Sequence, residues 1–219
     1  MAKTSVKILI VDDHALVREG LVRVLEEDAQ YKVCAQAANT GEALAAVERE
    51  TPDLMVVDLM LGGEDGLELL KSAKSRWPDM PVLVISARDE TLYAERALRA
   101  GAAGFLMKSA PPGDILNAVN MALHGEIALS RKQNSRLLGL QVKGSGAEDD
   151  DVVSCLSDRQ LHIFQLIGVG QSMREIAGRL GISVRTAETH RDNIKTKLGL
   201  DSALAVTRHA VNWVEQNGV

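Results

Sequence analysis

Short apolar runs recur through the first half of the chain at intervals of about 25 residues: VKILIV (6–11), KVCAQA (32–37), LMVV (54–57), VLVIS (82–86) and AGFLM (103–107). Each is too short and too uninterrupted for an amphipathic helix. They read as strands buried on both faces. Between them the period lengthens to that of a helix, as in Leu16, Leu21, Val24 and Leu25 or in Ala43, Leu44 and Val47, with charges on the opposite face. Strand alternating with helix predicts an α/β fold, a doubly wound (βα)5 unit whose parallel sheet is covered on both sides. DILNAVNMALH (114–124) supplies the fifth helix and closes this unit, which spans 6–124.

After residue 125 the pattern weakens. EIALSRKQNSRLLG has some helical character, whereas GLQVKGSGAEDDD combines glycine, serine and an acidic run without periodicity. Residues 125–153 are therefore expected to form a linker, partly helical and then flexible. From residue 157 the signals are helical. Ser157 with Gln160, and Ser172 with Glu175, fit the capping box, in which two side chains satisfy each other's open backbone N–H groups. Ser183 caps a further start and Gly181 closes the helix before it. This predicts a helix-turn-helix over roughly 172–198 and a last helix over about 202–216, bearing Leu204, Val211 and Val214. The second unit, 154–219, is smaller and all-α.

Composition narrows the function classes. Hydrophobic residues make up 46% of the 219, enough for packed cores, but aromatic residues only 3%, too few for a base-stacking platform. No 18-residue apolar run exists, and the N-terminus lacks the features of a secretory signal. These features predict a cytoplasmic protein with no membrane partner. In that compartment Cys34 and Cys155, which share no metal-ligand spacing, are expected to be small buried hydrophobes. Charge is uneven along the chain: residues 1–125 carry 13 basic and 19 acidic side chains, and residues 152–219 carry 8 and 6. Two units with different partners are implied.

Chemistry-bearing residues cluster just after the strands. Asp12 and Asp13 follow the first, Asp58 the third and Lys108 the fifth, while Ser86 ends the fourth. In a parallel sheet these ends open onto one crevice. Three carboxylates there repel unless a cation joins them, and hard oxygen donors with room for water suit Mg²⁺. A carboxylate nucleophile, a metal, a lysine and a hydroxyl are equipment for phosphoryl transfer to aspartate.

With these motifs, residues 6–124 resemble the flavodoxin-like receiver domain of bacterial two-component response regulators. The resemblance implies that Asp58 is the phosphoacceptor. It further implies that Asp13 and Asp58 ligate Mg²⁺ with the backbone carbonyl of Met60, Asp12 acting through water, and that Ser86 and Lys108 bind the phosphoryl group. Phe105 occupies the aromatic switch position, where simple core packing is the other reading. Two departures from the usual pattern stand out. DLMLGGEDG places Leu61 and Gly62 where many receivers have Met-Pro, and Gly62 and Gly63 are expected to loosen the loop. Ser109 replaces the usual proline after Lys108, so a cis peptide there would cost about 2.5 to 4 kcal/mol.

Residues 156–200 resemble the LuxR-type DNA-binding domain of the NarL/FixJ class of response regulators. Val184, Ala187, Ile194 and Leu198 form the expected buried stripe of the second helix of the motif, and Trp213 is either core or a dimer contact. Arg185, Glu188, Thr189, Asp192 and Lys195 then face outward toward a major groove, with Thr186 and Lys197 placed for the backbone. His190 lies near the buried stripe and is expected to be structural. Glu188 stands where the family is commonly basic. Carboxylates at 188 and 192 repel phosphates and accept from cytosine N4, which predicts narrower sequence choice and weaker nonspecific binding.

The leading expectation is a transcription regulator that takes a phosphoryl group from a sensor histidine kinase, dimerises and binds paired half-sites in double-stranded DNA. It is not an enzyme beyond its own phosphoryl turnover. A flavin-binding relative would want a glycine-rich or hydroxyl-rich phosphate loop after the first strand, where DDHALVREG has acids. A phosphate-independent regulator and a phosphoaspartate enzyme are the remaining alternatives.

Overall fold

The computed structural model describes residues 5–62, 64–135, 153 and 155–217. The chain divides into two compact units, Met1–Val142 and Lys143–Val219.

The first unit runs β1 (Val6–Val11), α1 (Ala15–Glu26), β2 (Tyr31–Ala37), α2 (Thr40–Glu50), β3 (Leu54–Val57), β4 (Met60–Leu61), β5 (Glu64–Asp65), α3 (Gly66–Arg76), β6 (Val82–Ser86), α4 (Glu90–Arg99), β7 (Gly104–Met107), α5 (Pro112–Leu123) and β8 (Ala128–Leu129). Six strands form one sheet in the order β2-β1-β3-β6-β7-β8, and every pair is parallel. All of β3 and β6 is buried, which is why those runs are apolar without alternation. On one face Ile8, Ile10, Leu54, Val56, Leu83 and Ile85 pack with Leu21 and Leu25 of α1 and Ile115 and Val119 of α5. The intervening strand residues Leu9, Val11, Met55 and Val57, which point to the other face, are equally buried.

Register carries this topology to the crevice. Val11 pairs with Val57, so Asp12 and Asp58 emerge side by side from neighbouring strands. Ser86 pairs with Met107, which delivers Lys108 next to the end of β6. The chain turns to β2 on one side of β1 and to β3 on the other, and the crevice opens at that reversal.

Several details differ from the sequence expectation. β8 is a sixth strand, within the stretch read as linker, and β4 with β5 forms an antiparallel hairpin directly after Asp58. Leu16 is 88% exposed, because it lies five residues before Leu21, about 140° round a helix of 3.6 residues per turn. Neither cysteine is fully buried. Cys34 is half-buried, with its Sγ 3.4 Å from the Ile8 carbonyl, and Cys155 is exposed in the turn before the first helix of the second unit. Of the flexible tether expected over 139–153, residues 139–152 lie outside the described residues, and Val153 is fully buried.

The second unit contains α6 (Asp158–Gly168), α7 (Met173–Arg179), α8 (Val184–Lys197) and α9 (Ala203–Asn217). Both capping boxes are present, and Ser183 caps α8 by accepting from the Thr186 N–H. Leu161, Phe164, Ile176, Ala187, Ile194, Val206 and Ala210 are buried. Trp213 is buried too, edge-on to Phe164 with ring centroids 5.9 Å apart, so it is a core residue. Val184 is 40% exposed and leaves the buried stripe, since as the first residue of α8 it has no preceding turn to cover it. Gly168 lets α6 approach α9: a Cβ there would lie 2.5 Å from the Ala210 carbonyl oxygen. Among the described residues no helix is long and apolar enough to cross a membrane.

Candidate functional site

Asp12, Asp58 and Ser86 are all buried at the strand ends. Ser86 Oγ donates to Asp58 Oδ1 at 2.6 Å, and Lys108 Nζ donates to Asp58 Oδ2 at 2.7 Å. The same ammonium lies 2.6 Å from Asp12 Oδ2. Burial alone lowers the Lys108 pKa, but hydrogen bonds and charge from Asp12 and Asp58 outweigh it, and the net shift is upward. Lys108 is thus firmly cationic.

The surrounding backbone is pinned to this pocket. Asp12 Oδ1 accepts from the His14 N–H at 2.8 Å, and the Arg18 guanidinium donates to the Asp12 carbonyl at 2.6 Å. Asp13 Oδ2 accepts from the Gly62 N–H at 2.9 Å, and Gly62 holds the left-handed conformation (φ +57°) that suits glycine at this hairpin turn. Instead of loosening the loop, Gly62 ties it to Asp13; Gly63 lies outside the described residues. Gly66 is needed for close approach, because a Cβ there would sit 2.1 Å from the Asp58 carbonyl oxygen. Met60 is in the hairpin, its Sδ met by the Arg88 guanidinium, which also stacks 5.3 Å from the Tyr93 ring. Phe105 is fully buried on β7, paired with Val84, in the strand next to the one that ends in Ser86. No cis peptide bond occurs among the described residues, Lys108–Ser109 included.

One lysine against three carboxylates leaves an excess of negative charge. One donor atom from each of Asp12, Asp13, His14 and Asp58 lies within 4.8 Å of the others. Ligands on opposite sides of an ion with bonds of about 2.0 to 2.6 Å are separated by about 4 to 5 Å, so this acidic cluster fits a divalent cation. His14 was not among the expected ligands. Its place directly after the paired aspartates was the available signal.

In the second unit Arg185, Thr186, Glu188, Thr189, Asp192 and Lys197 are exposed on α8 and Lys195 is half-exposed, opposite buried Ala187 and Ile194. Several of these side chains already have local partners. Thr189 Oγ1 donates to the Arg185 carbonyl at 2.9 Å, Asp192 lies 3.3 Å from Arg191, and Thr186 Oγ1 is 2.8 Å from Ser183 Oγ. Lys197 Nζ donates to the Cys155 carbonyl at 3.0 Å, so it braces the start of α6. His190 is half-buried. Burial and then the charge of Arg159 push its pKa below the ordinary 6.5.

A charged pocket at the switch point of a parallel sheet, joined to a capped helix-turn-helix, defines a signalling protein that reads DNA. Residues 8–120 match the family described as response regulator receiver domain, and residues 154–210 match that described as bacterial regulatory proteins, luxR family. The chain belongs to the response regulators, in the NarL/FixJ class, and is a phosphorylation-dependent transcription regulator of a two-component system. Among its relatives is the oxygen regulatory protein NreC of Staphylococcus haemolyticus (strain JCSC1435), 35% identical over 209 residues that cover 94% of this chain and 96% of NreC. The signal receiver domain of the response regulator NarL from Mycobacterium tuberculosis is 34% identical with a TM-score of 0.53, covering 56% of this chain and 98% of that one. The response regulator ChrA of a heme-sensing two-component system is 28% identical, covers 98% of each chain and has a TM-score of 0.52.

Proposed function

We propose that Asp58 is the phosphoacceptor, that it takes its phosphoryl group from a phosphohistidine of a sensor kinase, and that this event controls how α8 engages DNA. The observation that carries the reading is the pair of donors on one buried carboxylate: Ser86 Oγ and Lys108 Nζ each hold a different Asp58 oxygen. One Asp58 oxygen attacks phosphorus as the donor's P–N bond breaks, and the bonding pair leaves with the imidazole nitrogen. Ser86 and Lys108 then exchange carboxylate oxygens for phosphoryl oxygens. Asp13, Asp58 and the Met60 carbonyl would hold Mg²⁺, with Asp12 acting through water, and the ion would supply positive charge to offset the incoming anion.

The added charge is about −1.5 to −2, placed where negative charge is already in excess. Ser86 is drawn toward it, and Phe105 on the neighbouring strand repacks into the space. Carrying the active population from 1:99 to 99:1 takes about 5.5 kcal/mol of differential stabilisation. The active protein is a cytoplasmic homodimer on paired half-sites about one DNA turn apart or a multiple of that. Arg185, Thr186, Glu188, Thr189, Asp192 and Lys195 face the groove, and Lys197 acts from the edge of the motif.

Incubation of the full-length chain with Mg²⁺ and a small acyl-phosphate donor tests this. One phosphoryl group is expected by intact mass, mapped to Asp58, with tighter binding to a selected DNA site. An unmodified Asp58 with unchanged DNA binding would overturn its assignment as the phosphoacceptor.

A further inference from the structure

One donor at the pocket is left over from the phosphoryl chemistry. His14 Nδ1 lies 2.8 Å from Asp13 Oδ1 and 3.4 Å from Asp12 Oδ1. Asp13 Oδ1 is closed off from solvent, yet it has no hydrogen-bond partner among the described residues. The imidazole nitrogen and this carboxylate oxygen therefore face each other at close range but outside hydrogen-bond geometry. Nor is the imidazole committed to the helix that follows: His14 is the N-cap residue of α1, but its side chain makes no capping hydrogen bond. Its backbone is fixed, by the N–H bond to Asp12 Oδ1 and by Arg18 on the Asp12 carbonyl. An anchored backbone and a ring nitrogen turned toward two carboxylates describe a ligand more closely than a surface histidine.

We propose that His14 is a nitrogen ligand of the divalent cation in this pocket and sets the site's choice of ion, favouring imidazole-preferring Zn²⁺ and Ni²⁺ relative to Mg²⁺. The inference rests on the reading of Asp12, Asp13 and Asp58 as a cation site and adds a donor of a different kind to it. Carboxylate and water ligands alone suit Mg²⁺, whereas imidazole suits Zn²⁺ and Ni²⁺ and contributes little to an ion that prefers oxygen. The mutual spacing within 4.8 Å puts the imidazole within reach of the ion that the three carboxylates face. Because the His14 side chain is 65% exposed, the ring can swing toward the ion or away from it without repacking the core.

Calorimetric titration of the full-length chain with Zn²⁺, Ni²⁺ and Mg²⁺, each alone, tests the proposal in the wild type, His14→Ala and His14→Asn. The ratio of Zn²⁺ to Mg²⁺ affinity, and of Ni²⁺ to Mg²⁺, is expected to fall roughly tenfold or more in both variants. In ¹H–¹⁵N imidazole spectra of the wild type, the His14 ring nitrogen signal is expected to move on addition of Zn²⁺. Unchanged ratios in both variants, with Mg²⁺ binding intact, would overturn the role of His14 alone. Absence of Mg²⁺ binding in the wild type would overturn the underlying reading of the pocket instead.

Discussion

The receiver pocket and the DNA-reading helix handle charge in opposite ways. At the strand ends the buried Asp12 and Asp58 are locked to the half-buried Lys108, at 2.6 and 2.7 Å. On α8 the charges of Arg185, Glu188 and Asp192 are exposed, and salt screens them within about 10 Å. Buried charges are strongly coupled, so a single added phosphoryl group must disturb all of them at once. Exposed charges act nearly independently, so each tunes affinity without touching the fold. One region is built to change state and the other to be read.

The sharpest way to break this contrast is at Asp58. Asp58→Asn keeps size and hydrogen bonding to Ser86 but removes the nucleophile and the charge. Labelling by an acyl-phosphate donor is expected to vanish entirely, along with any phosphodonor-induced change in DNA binding. Residual labelling at the wild-type level, read by intact mass, would place the acceptor elsewhere.

Lys108→Ala comes next. It leaves two buried carboxylates facing each other without their cation, and breaking such a pair costs about 3 to 5 kcal/mol. Urea denaturation should show a loss of that order in the receiver, partly recovered on adding Mg²⁺. A charge reversal on the exposed helix, Glu188→Lys, should change stability by less than about 0.5 kcal/mol. Equal losses for the two variants would erase the distinction between coupled and independent charges.

Backbone contacts separate the regions in another way. Gly66→Ala drives a methyl group into the Asp58 carbonyl, and Gly168→Ala drives one into the Ala210 carbonyl. Each is expected to cost about 1 to 3 kcal/mol. The first should slow phosphoryl uptake and spare DNA binding by the unphosphorylated chain. The second should do the reverse, which paired labelling and gel-shift assays resolve.

How much of this could be read from the sequence follows from which features are periodic. Strands β3 and β6 and the helix starts at Ser157, Ser172 and Ser183 were legible because burial on two faces and capping chemistry leave local signatures. The convergence of Asp12, Asp58, Ser86 and Lys108 was legible because strand ends in a parallel sheet share one edge. β8 was not: two residues carry no period, and its pairing with Gly104 and Phe105 depends on the finished sheet. Nor was the Gly62 link to Asp13, because glycine in isolation signals freedom and only the tertiary structure supplies a partner. The Lys197 bond to the Cys155 carbonyl was hidden for the same reason, since the two residues lie 42 positions apart in the chain.

On α8 itself, Glu188→Lys sharpens the comparison at the level of affinity. Removing a repulsive carboxylate and adding a phosphate contact should steepen the salt dependence of nonspecific binding by about one unit of log–log slope. Binding to random DNA should tighten while discrimination between sites falls. An unchanged slope in titrations at varied salt would mean that residue 188 does not face the phosphates.

The smallest effect distinguishes the regions by pH. Lys108 has a raised pKa, so its contribution is complete below its ordinary 10.5 and is lost only as alkaline pH rises through the folded-state value. His190 is shifted the other way, below 6.5, by burial and then by Arg159. Above 6.5 it is neutral in both folded and unfolded chains and costs nothing. As pH falls below 6.5 the unfolded chain takes up a proton that the folded one resists, and stability of the DNA-binding unit declines until the folded pKa is passed. Lys108 contributes no change over that range, so mild acid should weaken α6–α9 through His190 and leave the lysine's share of receiver stability untouched. The two tryptophans, Trp77 and Trp213, lie one in each unit, so a Trp77→Phe chain reports on the second unit alone. Its urea midpoint should fall between about pH 7.5 and about pH 5.5, and His190→Gln should flatten that slope; a slope that survives the substitution would assign the acid sensitivity to another group.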